Sequence, residues 1–248
     1  MTQFLKHIFS KRKFQYFLFV HFLFVVGLLM LDITVAGLLL SLLLHILVVA
    51  PISTLITHLK FNHNYIKFKN SIFEWAGLAF MCTYSFFKFT DVKSYHVCHH
   101  QYWLTPSDPT ASEIAQGKIK YYLGLTEPCT VPKFEAMPDS KINFASQNFY
   151  LIKLSIYLII ILLFGINAFF YSIIAQQFYF YALTGKLHDM AFHSNLDAVD
   201  KPWLFPLYFN DSWHVEHHRE YAKLNSWHWP CINVHYWFYK LFFKQDTK

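Results

Sequence analysis

Charge is scarce in this chain of 248 residues: only 15% are Asp, Glu, Lys or Arg, against the ~25% usual in soluble domains. With 55% hydrophobic residues beside it, that scarcity excludes a disordered chain and argues against an ordinary soluble domain. Cysteine is also sparse, and Cys82, Cys98, Cys129 and Cys231 form no CxxC pair. Four in a chain this long do not make a disulfide framework, so they read as reduced thiols. The basic residues give a net charge of +6, but they flank apolar runs and form no stripe interleaved with polar residues, which excludes a nucleic-acid surface. There is no low-complexity segment, no His-Pro-Gly-Gly haem motif and no flavin or iron–sulfur segment.

Two things are abundant instead. Aromatic residues make up 21%, with 28 Phe and 16 Tyr, more ring area than a soluble core of this size needs; a membrane is the natural sink for it. Histidine occurs 15 times, as often as Asp and Glu combined, and most copies are clustered, which points to metal.

The apolar runs set an all-α integral membrane fold, a single domain over 1–248. Residues 14–31 carry no charge and follow Lys6, Lys11, Arg12 and Lys13, which reads as a span rather than a cleaved signal because no small-x-small site follows. A second span covers 33–56, so Leu31-Asp32 is a hairpin tip and the positive-inside rule places the N-terminus, and the C-terminus with it, in the cytoplasm. Residues 72–89 are apolar with Glu74 and Lys88 near the ends, and are expected to lie in the interface or re-enter. The stretch 90–147 is a polar insertion punctuated by proline. The tract 149–183 would make one helix of roughly 52 Å, too long for a ~30 Å hydrocarbon core, and Gly165-Ile166-Asn167 divides it into spans 149–165 and 168–184. The basic, aromatic tail around Trp237–Lys244 suits an interfacial helix. The expected architecture is four transmembrane helices in two hairpins, interfacial helices and a cytosolic cap.

Each histidine cluster lies just outside a span on that cytosolic side: His58 and His63 as HxxxxH, His96, His99 and His100 as HxxHH, His188 and His193 as HxxxxH, and His214, His217 and His218 as HxxHH. Positions i, i+3 and i+4 share one helix face, so each HxxHH is expected to present three imidazoles to one point. Nitrogen-rich sites of this kind suit iron, zinc, copper or nickel. About nine ligands exceed a four-coordinate zinc site and match two metals of higher coordination number.

This order of boxes on two hairpins resembles the integral-membrane fatty acid desaturase superfamily, the histidine-box di-iron desaturases and hydroxylases, over roughly Phe14 to Pro230. The separation of His63 from His96, 33 residues, matches that pattern rather than the sterol desaturase and fatty acid hydroxylase group, whose first two boxes lie closer together. The resemblance implies two irons held by His58, His63, His96, His99, His100, His214, His217 and His218. His193 is the favoured ninth ligand; His188 competes for that role or supports it, with Asp189 and Asp211 as carboxylates that orient ligands. It further implies O2 as co-substrate, electrons from a separate protein such as ferredoxin or cytochrome b5, and a fatty acyl substrate that becomes a cis alkene. A hydroxylase or ketolase of another apolar substrate such as a carotenoid is the alternative, and a non-enzymatic membrane metal-binding protein a remote one. A bacterial inner membrane is favoured over endoplasmic reticulum.

Other residues invite milder readings. His21 and His45 lie within spans and are expected to be hydrogen-bonded packing residues. Asp108, in Pro-Ser-Asp-Pro, reads as a turn residue or as a loop-ordering group. His7, His228 and His235 lack a partner at ligand spacing and are expected at the interface.

Overall fold

The computed structural model describes residues 11–85, 88–103, 105–129, 131, 139–193, 200–208, 215, 218 and 229–245. They are mostly helical, and three helices are long and apolar enough to cross a membrane: α1 (Arg12–Met30), α2 (Val35–Asn62) and α8 (Phe149–Phe192). Between α2 and α8 lie β1 (Ile66–Phe68), α3 (Ser71–Tyr84), α4 (Phe89–Gln101), α5 (Pro109–Ala115), α6 (Lys118–Tyr122) and α7 (Ser140–Gln147). After α8 come α9 (Phe205–Tyr208), α10 (Val234–Phe242) and β2 (Phe243–Gln245). Short polar residues start these helices as side-chain caps. Thr34 accepts from Gly37 N, Asn70 from Phe73 N, and Asp139 from Lys141 N and Ile142 N, each relieving orphan N–H groups of a first turn.

The long helices present leucine and phenylalanine outward. Phe22, Leu29, Leu39, Leu40, Leu158 and Leu162 are all exposed, an apolar surface far larger than soluble proteins tolerate. Inward, small residues let the helices approach: a methyl added at Gly27 would lie 2.1 Å from the ring of Phe170, the close contact expected between helices that lack a hydrophobic driving force in lipid.

The long helix α8 is not straight. Gly165 has φ 82° and ψ 172°, a conformation open to glycine and costly for other residues. The chain folds back there. Tyr157 accepts a hydrogen bond from the Gln177 amide and its ring lies 5.2 Å from Phe169, whereas 20 helical residues would span ~30 Å. The expected division at 165–167 thus appears as two arms of one kinked helix. The returning arm runs to Phe192 rather than stopping near 184, and α2 likewise continues to Asn62 rather than 56, so His58 and His188 lie on helix and His63 and His193 directly follow its last residue.

Two clusters of buried residues separate the ends of the bundle. Phe170, Ala175 and Tyr179 pack with Phe24, Leu31 and Ile33 beside the α1–α2 turn. Leu55, Ile56, Phe61, Phe89 and Phe149 pack at the opposite end with Ile66, Phe68 and Phe243. That end also receives the antiparallel pair β1–β2, in register Ile66↔Gln245 and Phe68↔Phe243. All cysteines are free thiols, with Cys82 and Cys98 buried.

Within the bundle, His45 lies against Gln176 Oε1 at 3.1 Å and Thr184 Oγ1 at 2.8 Å, and Gln176 donates to Ser41. His21 closes on its own turn at Phe17 O, 2.8 Å away. Both fill the packing role expected of them. His235 is buried within the protein.

Candidate metal centre

Seven of the described histidines converge as two groups, His58, His63, His96 and His100 in one and His99, His193 and His218 in the other, with the ligand atoms of each group within 4.8 Å of one another. Backbone geometry explains who joins which. In an α-helix, residues five apart point about 140° away from each other. Residues 55–62 are instead wound as a π-helix, and His63 N–H donates to the His58 carbonyl at 3.1 Å. This wider turn stacks the two rings at 5.3 Å between centroids, in keeping with the frequent use of π-turns at functional sites. The same HxxxxH spacing at 188–193 is α-helical, and there it separates the pair: His193 enters the second group and His188 does not.

On α4, His96 and His100 are one turn apart and face the first group, while His99 points around the helix to the second. The expectation that an HxxHH presents three imidazoles to one point is corrected here: i and i+4 share a face, and i+3 lies far enough round to serve a neighbouring site. The groups therefore share a wall. The ring of His218 stacks on His100 at 4.3 Å, although the two belong to different groups. His214, His217 and Asp211 lie outside the described residues, as do His7 and His228.

Two contacts resemble ligand pairs. His63 Nε2 lies 2.9 Å from His96 Nε2, and His99 Nε2 lies 3.1 Å from His218 Nε2. With metal–nitrogen bonds of about 2.1 Å, ligands at right angles sit about 3.0 Å apart. A single N–H···N bond has the same length; convergence of three and four rings, not one distance, is what favours an ion. Burial also prepares the donors. Desolvation lowers His63 to about 4 and, with neighbouring imidazoles adding to it, His100 to about 3 and His193 to about 3. The rings are therefore neutral at physiological pH, the form a metal requires.

Carboxylates fix the orientation. Asp108, 1% exposed, accepts from His99 Nδ1 at 2.8 Å, which leaves Nε2 for a metal. The same oxygen caps α5, accepting from Thr110 N at 2.8 Å and Ala111 N at 3.4 Å. Sequence reasoning placed this role on Asp189 and Asp211 and undervalued Asp108; the signal was Asp108-Pro109 itself, an N-cap signature that fixes a carboxylate nine residues after His99. Asp189 receives the Tyr121 hydroxyl and lies 3.4 Å from His188 Nδ1.

A cavity of about 580 Å³ reaches both groups. Its wall includes His58, His96, His99, His193 and His218, with Tyr16, Met81, Tyr84 and Phe180 further along. The converging imidazoles, buried in the second group and partly buried in the first, fit transition-metal ions better than magnesium or calcium, which take oxygen ligands. Comparison with protein-family models, curated proteins and solved structures returns no match.

Proposed function

We propose that this chain is a multi-pass membrane oxidoreductase of the histidine-box desaturase type, which uses two irons, O2 and electrons from a separate carrier protein to introduce a double bond into a fatty acyl chain. The observation that carries the reading is the pair of adjoining histidine groups opening on one apolar-walled cavity. Four crossings follow if each arm of α8 spans the bilayer, since the ends of α2 and α8 that bear histidines lie together. With the N-terminus in the cytoplasm, as the positive-inside rule expects, the centre would lie at the cytoplasmic face, where ferredoxin or cytochrome b5 would dock.

Paired iron held by these histidines would activate O2, with two electrons from the carrier, so that two hydrogens leave adjacent carbons of the chain and O2 ends as two waters. The protein's own contribution is positional. Asp108 holds the tautomer and angle of His99, the π-turn aligns His58 with His63, and Tyr84, Met81 and Phe180 exclude water along the cavity and hold an extended chain against the imidazole wall.

The test is a mass-spectrometric profile of total lipids from a host that expresses the chain together with a ferredoxin or cytochrome b5 system, paired with His99→Ala. An acyl species lacking two hydrogens, absent from the variant, is the expected result. A species gaining one oxygen would replace desaturation by hydroxylation or ketolation. Iron-loaded protein with an unchanged lipid profile would refute the enzymatic reading.

A further inference from the structure

Lys186 lies on the returning arm of α8 with its side chain turned inward, 9% exposed, although a lysine at a span end ordinarily extends to water. Its ammonium sits 3.6 Å from the ring centre of Tyr121 and 5.8 Å from that of Tyr181. Among the described residues no hydrogen-bond acceptor meets it. The two carboxylates in its electrostatic surroundings, Glu113 and Asp189, are engaged elsewhere. Glu113 takes Lys13 Nζ on both oxygens at 2.6 and 2.7 Å and the Thr126 hydroxyl at 3.2 Å; Asp189 takes the Tyr121 hydroxyl and faces His188. Lys13 is therefore already compensated, whereas the N–H groups of Lys186 meet no acceptor among the described residues. Such groups are seldom buried without a pair. Both lysines line the cavity that reaches His99, His193 and His218.

We propose that Lys186 anchors the anionic oxygen head group, carboxylate or phosphate monoester, of the aliphatic ligand that occupies this cavity. The ring faces of Tyr121 and Tyr181 hold the ammonium by cation–π attraction without using its hydrogen-bonding capacity, which stays directed to the ligand. Asp91, also on the cavity wall, is exposed and marks its wet rim. The inference rests on reading the cavity as an acyl site, and it adds that the acyl chain is recognised by its charged end.

The experiment measures binding by purified full-length protein in maltoside micelles, without oxygen or an electron donor, to radiolabelled palmitate, hexadecyl phosphate and hexadecanol. One or both anions should bind about ten- to hundred-fold more tightly than the alcohol, the range of a charge-assisted bond. Lys186→Met should reduce the anions to the level of hexadecanol and leave hexadecanol unchanged, while Lys186→Arg keeps the preference. Preference for palmitate identifies a carboxylate head, and preference for hexadecyl phosphate a phosphate monoester head. Equal binding of all three ligands, or an anion preference that survives Lys186→Met, overturns the proposal. If Lys186→Met binds nothing, Lys186→Gln decides: loss of the preference supports the anchor, and retention overturns it. Because no turnover occurs, anion-selective binding without any oxidised lipid in the expression test would refute the desaturase reading alone.

Discussion

Asp108→Asn separates the two jobs of one buried carboxylate. Asparagine caps helices as well as aspartate does, so the bonds from Thr110 N and Ala111 N to α5 survive. What is lost is the negative charge opposite His99 Nδ1, 2.8 Å away. Removing such an orienting carboxylate typically costs 10–100-fold in metal affinity, about 1.4–2.8 kcal/mol. Only His99 touches Asp108 among the grouped histidines in the described residues, so the loss should fall on the His99–His193–His218 site and spare the His58–His63–His96–His100 site. Equilibration against graded chelator, with metal counted by mass spectrometry, should show two release steps. In Asp108→Asn one step moves to ten- to hundred-fold lower chelator and the other stays. Asp108→Ala adds a stability loss of about 1 kcal/mol for the missing cap. An unchanged release profile in Asp108→Asn, or equal shifts of both steps, would refute the assignment of Asp108 and the independence of the two groups.

Three further outcomes follow. Phe243→Ala removes a ring that is 2% exposed and 4.6 Å from Phe68, at a cost of about 3–5 kcal/mol; because β1 begins three residues after His63, the first group should release its ion at lower chelator, and unchanged release would show that the β1–β2 pair does not support that group. His45→Ala leaves Gln176 and Thr184 without their partner, a cost of about 2–4 kcal/mol measurable by reversible unfolding in mixed micelles; loss of bound metal without loss of stability would contradict its packing role. The third concerns pH. Folding lowers His63, His100 and His193 below the usual value near 6.5, so the unfolded chain binds more protons between that value and about 3, and the metal-free protein should lose stability as pH falls through this window, while these three rings add no pH dependence above it. Stability that rises on acidification would contradict burial of the neutral rings.

Much of the candidate site could be read from spacing alone, because clustered imidazole at i, i+3 and i+4 has few other uses. The assignment of ligands to two groups could not, because it depends on a π-turn at 55–62 and an α-turn at 188–192, and backbone winding of that kind leaves no periodic signature. The apolar runs located the long helices, and Gly165 announced the reversal of α8. The β1–β2 pair was invisible, since three-residue strands joined across 175 residues arise from tertiary context rather than local preference. Asp108, Lys13 with Glu113 and Tyr121 with Asp189 were hidden for a related reason: each becomes meaningful only when a distant partner is brought to it.

The most direct test of the two-metal account is the iron count per chain in purified, iron-replete protein, measured with His63→Ala and His99→Ala alongside. The account predicts two irons in the wild type and one in each variant, with different chelator sensitivity for the iron that remains. One iron or none in the wild type, or two retained in both variants, would contradict it.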